Sequence, residues 1–218
     1  MQRILISLLV AGLSTSVVLA KGRDIDKVNG SIHTEAGVSY GDLESVNGSI
    51  ELEENAIAEG VSTVNGSIRI RDGAQAESIE TVNGGLKLGR GVVIRDGLET
   101  VNGRIEIGGG SRIGEGIESV NGSIDVDNAE IGGGIETVNA DLTLDNGALV
   151  RGGIHYEEPG GSWFNFGKKK TPKVVIGANV VVEGDLKFDH DVELFVHDSA
   201  KVGRISGASA KRYSGSTP

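Results

Sequence analysis

Apolar and polar residues alternate in short groups along most of this chain. In the segment 64–80 the apolar positions are Val64, Ile68, Ile70, Ala74, Ala76 and Ile79, with Gly, Asp, Arg, Gln and Glu among the residues between them. Alternation with a period of two predicts short β-strands. Several such groups within about eighteen residues predict a coil with three faces and a triangular cross-section.

One short motif recurs at a nearly constant interval. Val-Asn-Gly-Ser-Ile and its near copies occur seven times, starting at Val28, Val46, Val64, Val82, Val101, Val120 and Val138, 18 or 19 residues apart. Self-similarity at a short, fixed period indicates a solenoid. The sequence therefore predicts an all-β fold, a single-stranded parallel β-helix with 18–19 residues per coil. We expect a right-handed coil, because parallel strand connections are overwhelmingly right-handed; a six-residue rhythm typical of left-handed hexapeptide helices is the alternative.

Two aliphatic columns follow the same interval. Three residues before each valine stand Ile25, Leu43, Val61, Ile79, Leu98, Ile117 and Ile135. Four residues after it stand Ile32, Ile50, Ile68, Leu86, Ile105, Ile124 and Leu142. Stacked at ~4.8 Å, such side chains make a dry axial core. Because only 4% of residues are aromatic, we expect a narrow core of Val, Ile, Leu and Ala.

The asparagine of the motif forms a column of its own. Its members are Asn29, Asn47, Asn65, Asn83, Asn102, Asn121 and Asn139. Amide side chains repeated at one level can hydrogen-bond along the stack, so we predict a structural ladder. The following glycine is expected to supply a positive φ at the corner, a conformation that asparagine also tolerates. Sugar binding by the amides is the alternative.

Segments of different composition flank the repeats. Arg3, the apolar run from Ile4 to Leu13 and the Val18-Leu19-Ala20 sequence predict a signal peptide over residues 1–20, cleaved after Ala20. The mature protein would then be periplasmic or secreted. Residues 21–205 are predicted to form the β-helix, of about nine coils, with a loop insertion at about residues 155–173. The Gly/Ser-rich tail, residues 206–218, is expected to be disordered.

The net charge and the motif content disfavour several classes of function. The net charge is −10, which disfavours nucleic-acid binding because an acidic surface repels phosphate. The chain has no cysteine and hence no disulfide or thiolate metal site. We find no Ser-His-Asp arrangement, phosphate loop or Rossmann fingerprint, and we predict no catalytic residue, cofactor or metal site. The polar clusters Asp189-His190-Asp191 and His197-Asp198 are interpreted as caps of the last coil, with metal binding as the weaker alternative.

A column of glutamates lies two residues before the valines. It comprises Glu44, Glu80, Glu99, Glu118 and Glu136. At ~4.8 Å in water each pair repels by about 1 kcal/mol or less, so a soluble acidic ridge is the favoured interpretation and cation binding the alternative. Elsewhere, Glu51 with Arg69 and Lys87 with Glu106 are predicted cross-strand pairs.

The insertion concentrates aromatic and basic residues. It contains Trp163, Phe164 and Phe166, followed by Lys168, Lys169 and Lys170. Aromatic residues beside cations are enriched at protein interfaces and also suit the headgroup region of an anionic membrane. We predict that these six residues bind a partner; the alternative is that the aromatic rings fold back over the coil wall.

The SVNGSI-type repeat over residues 25–154, with an acidic residue ahead of it, resembles bacterial β-helical repeat domains of the adhesin type, whose function is unknown. The later stretch VVIGANVVVEGDLKF resembles the coils of polymer-forming bactofilins, whose rods join end to end. These resemblances imply a structural or adhesive role and transfer no catalytic residue. We therefore expect an exported, non-enzymatic protein of the bacterial cell envelope that contacts an envelope protein, a glycan or a membrane surface. A carbohydrate-binding or carbohydrate-active β-helix and a self-polymerising, bactofilin-like scaffold are the alternatives.

Overall fold

Parallel strands stack along one axis to form a β-solenoid of about ten turns. The computed structural model describes residues 22–158 and 171–218, and within them every strand pairing is parallel and no helix occurs. The predicted all-β, parallel β-helix architecture is confirmed. The hand of the coil stays a prediction.

Each complete coil has three faces. Faces A and B together form a 17-stranded sheet, and face C forms a 7-stranded sheet. Face A holds β1 (Arg23–Asn29), β3 (Tyr40–Asn47), β5 (Gly60–Asn65), β8 (Ser78–Asn83), β17 (Ile154–Tyr156), β20 (Leu186–Phe188) and β23 (Ile205–Ser206). Face B holds β2 (Ile32–His33), β4 (Ile50–Leu52), β6 (Ile68–Ile70), β9 (Leu86–Leu88), β18 (Lys173–Ile176), β21 (Glu193–His197) and β24 (Ala210–Tyr213).

Three longer strands continue from face A into face B, and seven short strands build face C. The long strands are β11 (Leu98–Ile107), β13 (Ile117–Asp127) and β15 (Ile135–Asp145). Face C holds β7 (Gln75–Ala76), β10 (Val93–Ile94), β12 (Arg112–Ile113), β14 (Glu130–Ile131), β16 (Leu149–Val150), β19 (Val181–Val182) and β22 (Lys201–Val202). Coils are numbered 1 to 10 by their face A strands, so that β15 belongs to coil 7, β17 to coil 8 and β20 to coil 9.

The aliphatic columns line the axis as their spacing predicts. On face B, Ile68 pairs in register with Ile50 below and Leu86 above, and all three side chains are buried. Among the described coils, aromatic side chains are buried only towards the carboxyl end, where the rings of Tyr156 and Phe188 lie 5.3 Å apart. Their larger side chains fill the axis in coils 8 and 9.

The valine of the repeated motif does not belong to the core. Strand alternation turns the residue before it inward, so Thr63 is buried while Val64 is partly exposed. The hydroxyl of Thr63 donates a hydrogen bond to the carbonyl oxygen of Gly48, over 2.9 Å. At the first coils the valines are exposed outright, Val28 by 68% and Val46 by 42%. The inner lining of face A is therefore partly hydroxylic.

The motif glycine has the expected positive φ in two coils, at Gly30 (109°) and Gly122 (134°), and a different role at Gly66. Gly66 has no positive φ; a Cβ built on it would lie 2.1 Å from the carbonyl oxygen of Gly48 in the coil below. Glycine is required there because two backbones approach closely at the corner between faces A and B. Positive φ values also occur at the corner between faces B and C, at Gly91 (63°), Gly110 (75°) and Asn128 (45°), among others.

The carboxyl-terminal tail differs from its prediction. β24 (Ala210–Tyr213) lies within the segment expected to be disordered, and it pairs in parallel with β21. Ala210 lies in register with Leu194, and the ring of Tyr213 packs edge-on against His197. This strand completes a tenth coil where the composition indicated nine, because a Gly/Ser-rich segment can still pair through its backbone.

The insertion leaves the solenoid at the corner between faces A and B. β17 and β18 both pair with β15, so the chain departs after face A of coil 8 and returns to face B of the same coil. Residues 159–170 are outside the described part of the structure. Among the residues that are described, no helix has the length and hydropathy needed to cross a membrane.

Candidate functional site

The outer surface of face A carries a row of carboxylates, which we call the acidic column: Glu44, Glu80, Glu99, Glu118 and Glu136. Parallel pairing places Glu80 beside Glu99, Glu99 beside Glu118, and Glu118 beside Glu136, so four successive coils repeat one acid. Ser62 takes the equivalent position in coil 3 and interrupts the row. The strand alternation that buries Ile79 and Ile117 turns these carboxylates outward.

The environment of the acidic column favours the protonated form of its members. Partial burial is the main cause of a raised pKa for Glu80, Glu99 and Glu118, and the charge of a neighbouring carboxylate raises each pKa further. For Glu118 the contributing neighbours are Glu99, Glu136 and Glu157. Each carboxyl group thus pays a free-energy cost for ionising next to the others.

A shallow groove runs beside the middle of the acidic column. Its volume is about 310 Å³, and its lining includes Glu80, Glu99 and Glu118 together with Asp96 and Glu115 on the adjoining loops. Within residues 22–158 and 171–218, no basic side chain lies within 4.0 Å of the carboxylates of Glu80, Glu99 or Glu118. The groove therefore presents a concentrated negative charge.

Basic side chains pair with acids on the other surfaces. The predicted pair Lys87 and Glu106 lies at 2.7 Å, and Arg69 approaches Glu51 at 4.0 Å. On face C, Glu130 accepts hydrogen bonds from Arg112 of the coil below (3.0 Å) and from Arg151 of the coil above (2.8 Å). These acids have basic partners, whereas Glu80, Glu99 and Glu118 in the middle of the acidic column have none within 4.0 Å among the described residues.

The acidic column ends at the junction of coils 7 and 8. Glu136 lies in register with His155, and His155 with Lys187 of coil 9, so the row changes from acid to imidazole to amine. Glu157, two residues after His155, faces outward beside it. One potential metal-ligating atom from each of Glu136, His155 and Glu157 lies within 4.8 Å of the other two.

A second carboxylate orients the imidazole of His155. Its Nε2 lies 2.8 Å from Oδ2 of Asp189, and the ammonium group of Lys187 donates to the same carboxylate over 3.0 Å. The Lys187 nitrogen is also 3.2 Å from Nε2 of His155. Hydrogen bonds from His155 and then Lys187 lower the pKa of Asp189, so this acid is ionised.

Tyr156 fixes the strand that carries these groups. Its side chain points inward between His155 and Glu157, and its hydroxyl donates a hydrogen bond to the carbonyl oxygen of Ala140 over 2.8 Å. Burial raises the pKa of this phenol, so it stays a donor. The backbone amide of Glu157 donates to the carbonyl oxygen of Thr137 over 2.9 Å, which extends the pairing beyond β17.

The other predicted site residues are distributed elsewhere. Six of them, Trp163, Phe164, Phe166, Lys168, Lys169 and Lys170, lie outside the described residues, and their role stays a prediction. His190 and His197 do not share a site: Nε2 of His190 lies 2.7 Å from the carbonyl oxygen of Val138, and Nδ1 of His197 lies 2.8 Å from the hydroxyl of Ser199. His197 thus bonds within its own turn, whereas His190 reaches a backbone carbonyl of coil 7.

Sequence reasoning missed the meeting of Glu136, His155 and Glu157, although a signal for it was present. One further step of 19 residues from Ile135 reaches Ile154, which places His155 in the acidic column. Comparisons with family models, with curated proteins and with solved structures found no match to this chain.

Proposed function

We propose that this protein is an exported, non-enzymatic rod with an adhesive or structural role in the bacterial cell envelope. The observation that carries the proposal is the repetition of the same outward-facing groups on successive coils, such as the carboxylates of Glu80, Glu99 and Glu118 in register. A surface of this kind offers many equivalent contacts to an extended or repetitive partner. Linked contacts raise the total avidity without any single strong site.

The arrangement of polar groups supports binding over catalysis. An active site brings unlike groups together, for example a nucleophile, a base and an oxyanion donor. Along face A of coils 4 to 7 the strands instead stack like with like, asparagine on asparagine and glutamate on glutamate. This repetition is suited to an extended contact surface.

The distribution of aromatic rings disfavours the carbohydrate-active alternative. A polysaccharide platform needs rings that project from successive coils on one side. In the described coils Tyr156 and Phe188 are buried in the core. Phe195 on face B lies beneath the amines of Lys173 and Lys211, each 5.1 Å from the ring centroid. No row of exposed rings forms along the described faces.

Removing single coils tests the proposal while keeping the solenoid register. Asn65 pairs with Asn83, so deletion of residues 66–83 joins equivalent positions and removes one coil that contains Glu80. Asn47 pairs with Asn65, so deletion of residues 48–65 removes one coil whose acidic-column position is Ser62. The two shortened rods are matched in length and differ in the acid they lose.

The assay is co-sedimentation of purified rods with envelope fractions, at several protein concentrations. We expect the full-length protein to bind, both single-coil deletions to bind more weakly, and a deletion of residues 48–83 to bind weakest, with parallel-strand circular dichroism retained. Amino-terminal sequencing of the exported protein should begin at Lys21. A protein that stays in the soluble fraction, or binding that is independent of coil number, contradicts the proposal.

End-to-end assembly is a second candidate, and the terminal coils favour it. Within the described residues, β1 pairs only with β3, and β24 pairs only with β21, so these two strands are the edges of the described sheet. Such edges accept a further parallel strand unless they are covered. Light scattering against protein concentration tests this candidate: particle mass should rise with concentration, and a constant monomer mass contradicts it.

A further inference from the structure

We propose that Glu136, His155 and Glu157 form a binding site for a divalent transition-metal ion of the Zn²⁺ class, at the junction of coils 7 and 8. Their potential ligand atoms lie within 4.8 Å of one another. Adjacent coils supply them through a fixed register, Glu136 from β15 and His155 from β17. The inference is independent of the envelope role proposed above.

The donor set selects the class of ion. One imidazole nitrogen with two carboxylate oxygens is a combination that Zn²⁺ accepts, with bonds of about 2.0–2.2 Å and a fourth position left for water. The hard cations Ca²⁺ and Mg²⁺ prefer oxygen ligands alone. The histidine therefore distinguishes this cluster from the purely acidic stretch formed by Glu80, Glu99 and Glu118.

The hydrogen bond to Asp189 prepares His155 for metal binding. When Nε2–H donates to Asp189, over 2.8 Å, the lone pair of the neutral imidazole is on Nδ1. A carboxylate that accepts the second ring N–H is the usual partner of a metal-ligating histidine, because it fixes the tautomer and raises the basicity of the ligand. Lys187 donates to the same carboxylate over 3.0 Å and is neutralised by it.

Charge and mobility at the cluster also favour an ion. Glu118 lies next to Glu136 in register, so the two glutamates of the cluster have a third carboxylate beside them in the adjoining coil. A dication relieves the repulsion among them. Tetrahedral ligands of Zn²⁺ are about 3.3 Å apart, so the ligand atoms must close in by up to about 1.5 Å. The side chain of Glu136 is exposed and that of His155 is 28% exposed, and this leaves room for the movement.

Direct binding measurements on the untagged, chelator-treated full-length protein test the site. Calorimetric titration with ZnCl₂ should give saturable binding of one ion per chain, and Co²⁺ should give visible d–d absorption bands that Zn²⁺ abolishes. Glu157→Gln removes a ligand and leaves the Asp189 hydrogen bond in place; it should weaken Zn²⁺ binding at least tenfold. His155→Asn should do the same, and Asp189→Asn should weaken binding by about 10–100-fold through the loss of the orienting carboxylate.

Two control variants distinguish Zn²⁺ binding at this site from unspecific Zn²⁺ binding to acidic side chains. Glu80→Gln removes a member of the acidic column three coils away from Glu136, and His33→Asn removes a histidine whose Nδ1 lies 3.3 Å from Glu51. Both should bind Zn²⁺ like the unaltered protein, and circular dichroism should show that all variants fold. The proposal is overturned if no stoichiometric binding occurs, if Glu157→Gln binds as tightly as Glu80→Gln, or if Ca²⁺ binds more tightly than Zn²⁺.

Discussion

The side-chain amide of Asn102 donates a hydrogen bond through Nδ2 to Oδ1 of Asn83, over 3.1 Å. Asn83 in turn donates to Asn65 over 3.1 Å, so each interior member of the ladder makes two such bonds. Six of these bonds connect the seven asparagines along the corner between faces A and B.

The ladder predicts a stability difference between interior and terminal positions. Asn83→Ala removes two side-chain bonds, whereas Asn29→Ala removes only the bond that Asn29 accepts from Asn47. At about 0.5–1 kcal/mol for each exposed bond, we expect losses of about 1–2 and 0.5–1 kcal/mol in the free energy of unfolding. Urea denaturation measures both. Equal losses at the two positions would show that the ladder contributes no cooperative stability.

On face A, replacing Thr100 or Thr63 by valine should change the stability of the protein in opposite directions. The Oγ1 atom of Thr100 is buried without a hydrogen-bond partner among the described residues, whereas that of Thr63 donates to Gly48 over 2.9 Å. We expect Thr100→Val to stabilise the protein by about 1 kcal/mol and Thr63→Val to destabilise it by a similar amount. The two substitutions have the same shape change, so thermal denaturation of this pair isolates the hydrogen bond. A loss of stability in Thr100→Val would contradict the assignment.

Even a methyl group at the corner glycine Gly66 should destabilise the fold. A Cβ on Gly66 would lie 2.1 Å from the backbone oxygen of Gly48, and neither backbone can move without breaking coil pairing. We expect Gly66→Ala to lower the free energy of unfolding by about 2–4 kcal/mol. Gly91→Asn is the matched control: it lies at the other corner, with φ of 63° and no atom near its Cβ, and asparagine occupies that conformation at Asn128. Its cost should be below ~1 kcal/mol.

The acidic column predicts how stability varies with pH. Because Glu80, Glu99 and Glu118 have raised pKa values in the folded protein, the folded state binds more protons than the unfolded chain at mildly acidic pH. Their contribution to stability is full below the ordinary glutamate pKa of about 4.3 and is lost as the pH rises through the folded pKa values. Midpoints of urea denaturation should therefore increase as the pH falls from 7 towards 5.

A triple variant isolates this effect. Glu80→Gln, Glu99→Gln and Glu118→Gln together should raise the stability at pH 7 and flatten the increase towards pH 5. Below that range the sign reverses, because hydrogen bonds lower the pKa values of four other acids. The donors are the backbone and side chain of Arg90 at Asp72, Lys87 at Glu106, Arg151 and Arg112 at Glu130, and His155 and Lys187 at Asp189. Those acids contribute stability that is lost as the pH falls through their lowered values. An unchanged slope between pH 7 and 5 in the triple variant would refute the role of the column.

The insertion is predicted to be a docking segment. β17 and β18, on its two sides, are held by pairing with β15, so deletion of residues 160–170 should leave the melting temperature nearly unchanged. If Trp163, Phe164 and Phe166 bind a partner, the shortened protein should lose binding to envelope fractions. Replacing Lys168, Lys169 and Lys170 by Gln measures how much of the affinity for envelope fractions comes from their positive charge. A large fall in melting temperature with binding retained would identify the segment as a cover of the coil wall.

The interval of the repeat made most of the architecture predictable. A constant period defines which side chains become neighbours, so the aliphatic columns and the pair Lys87 and Glu106 could be derived by counting. Close approach of backbones could not, because the contact between Gly66 and Gly48 depends on the path of the chain at the corner. The predicted positive φ is present at Gly30 and Gly122 and absent at Gly66.

At the junction of coils 7 and 8, neighbouring residues are harder to derive from the repeat interval. The insertion interrupts the period after Glu158, and the short strand Ile154–Tyr156 lacks the Val-Asn-Gly motif that labels earlier coils. The Gly/Ser-rich composition around Ala210–Tyr213 predicted disorder, but this short strand pairs with β21 through its backbone. Asp189 reaches His155 from another coil, 34 positions later in the chain, and nothing local in the sequence indicates that contact.

The direction of the coil-to-coil hydrogen bonds has a mechanical consequence. These bonds run along the axis of the rod, so tension applied at its two ends breaks the bonds of one coil at a time. In a sheet pulled along its strands, by contrast, a whole row of hydrogen bonds must break together. Each coil that detaches releases 18 or 19 residues, or about 60 Å of extended chain. A tether built in this way lengthens stepwise under load and dissipates work, and it can rewind when the load falls.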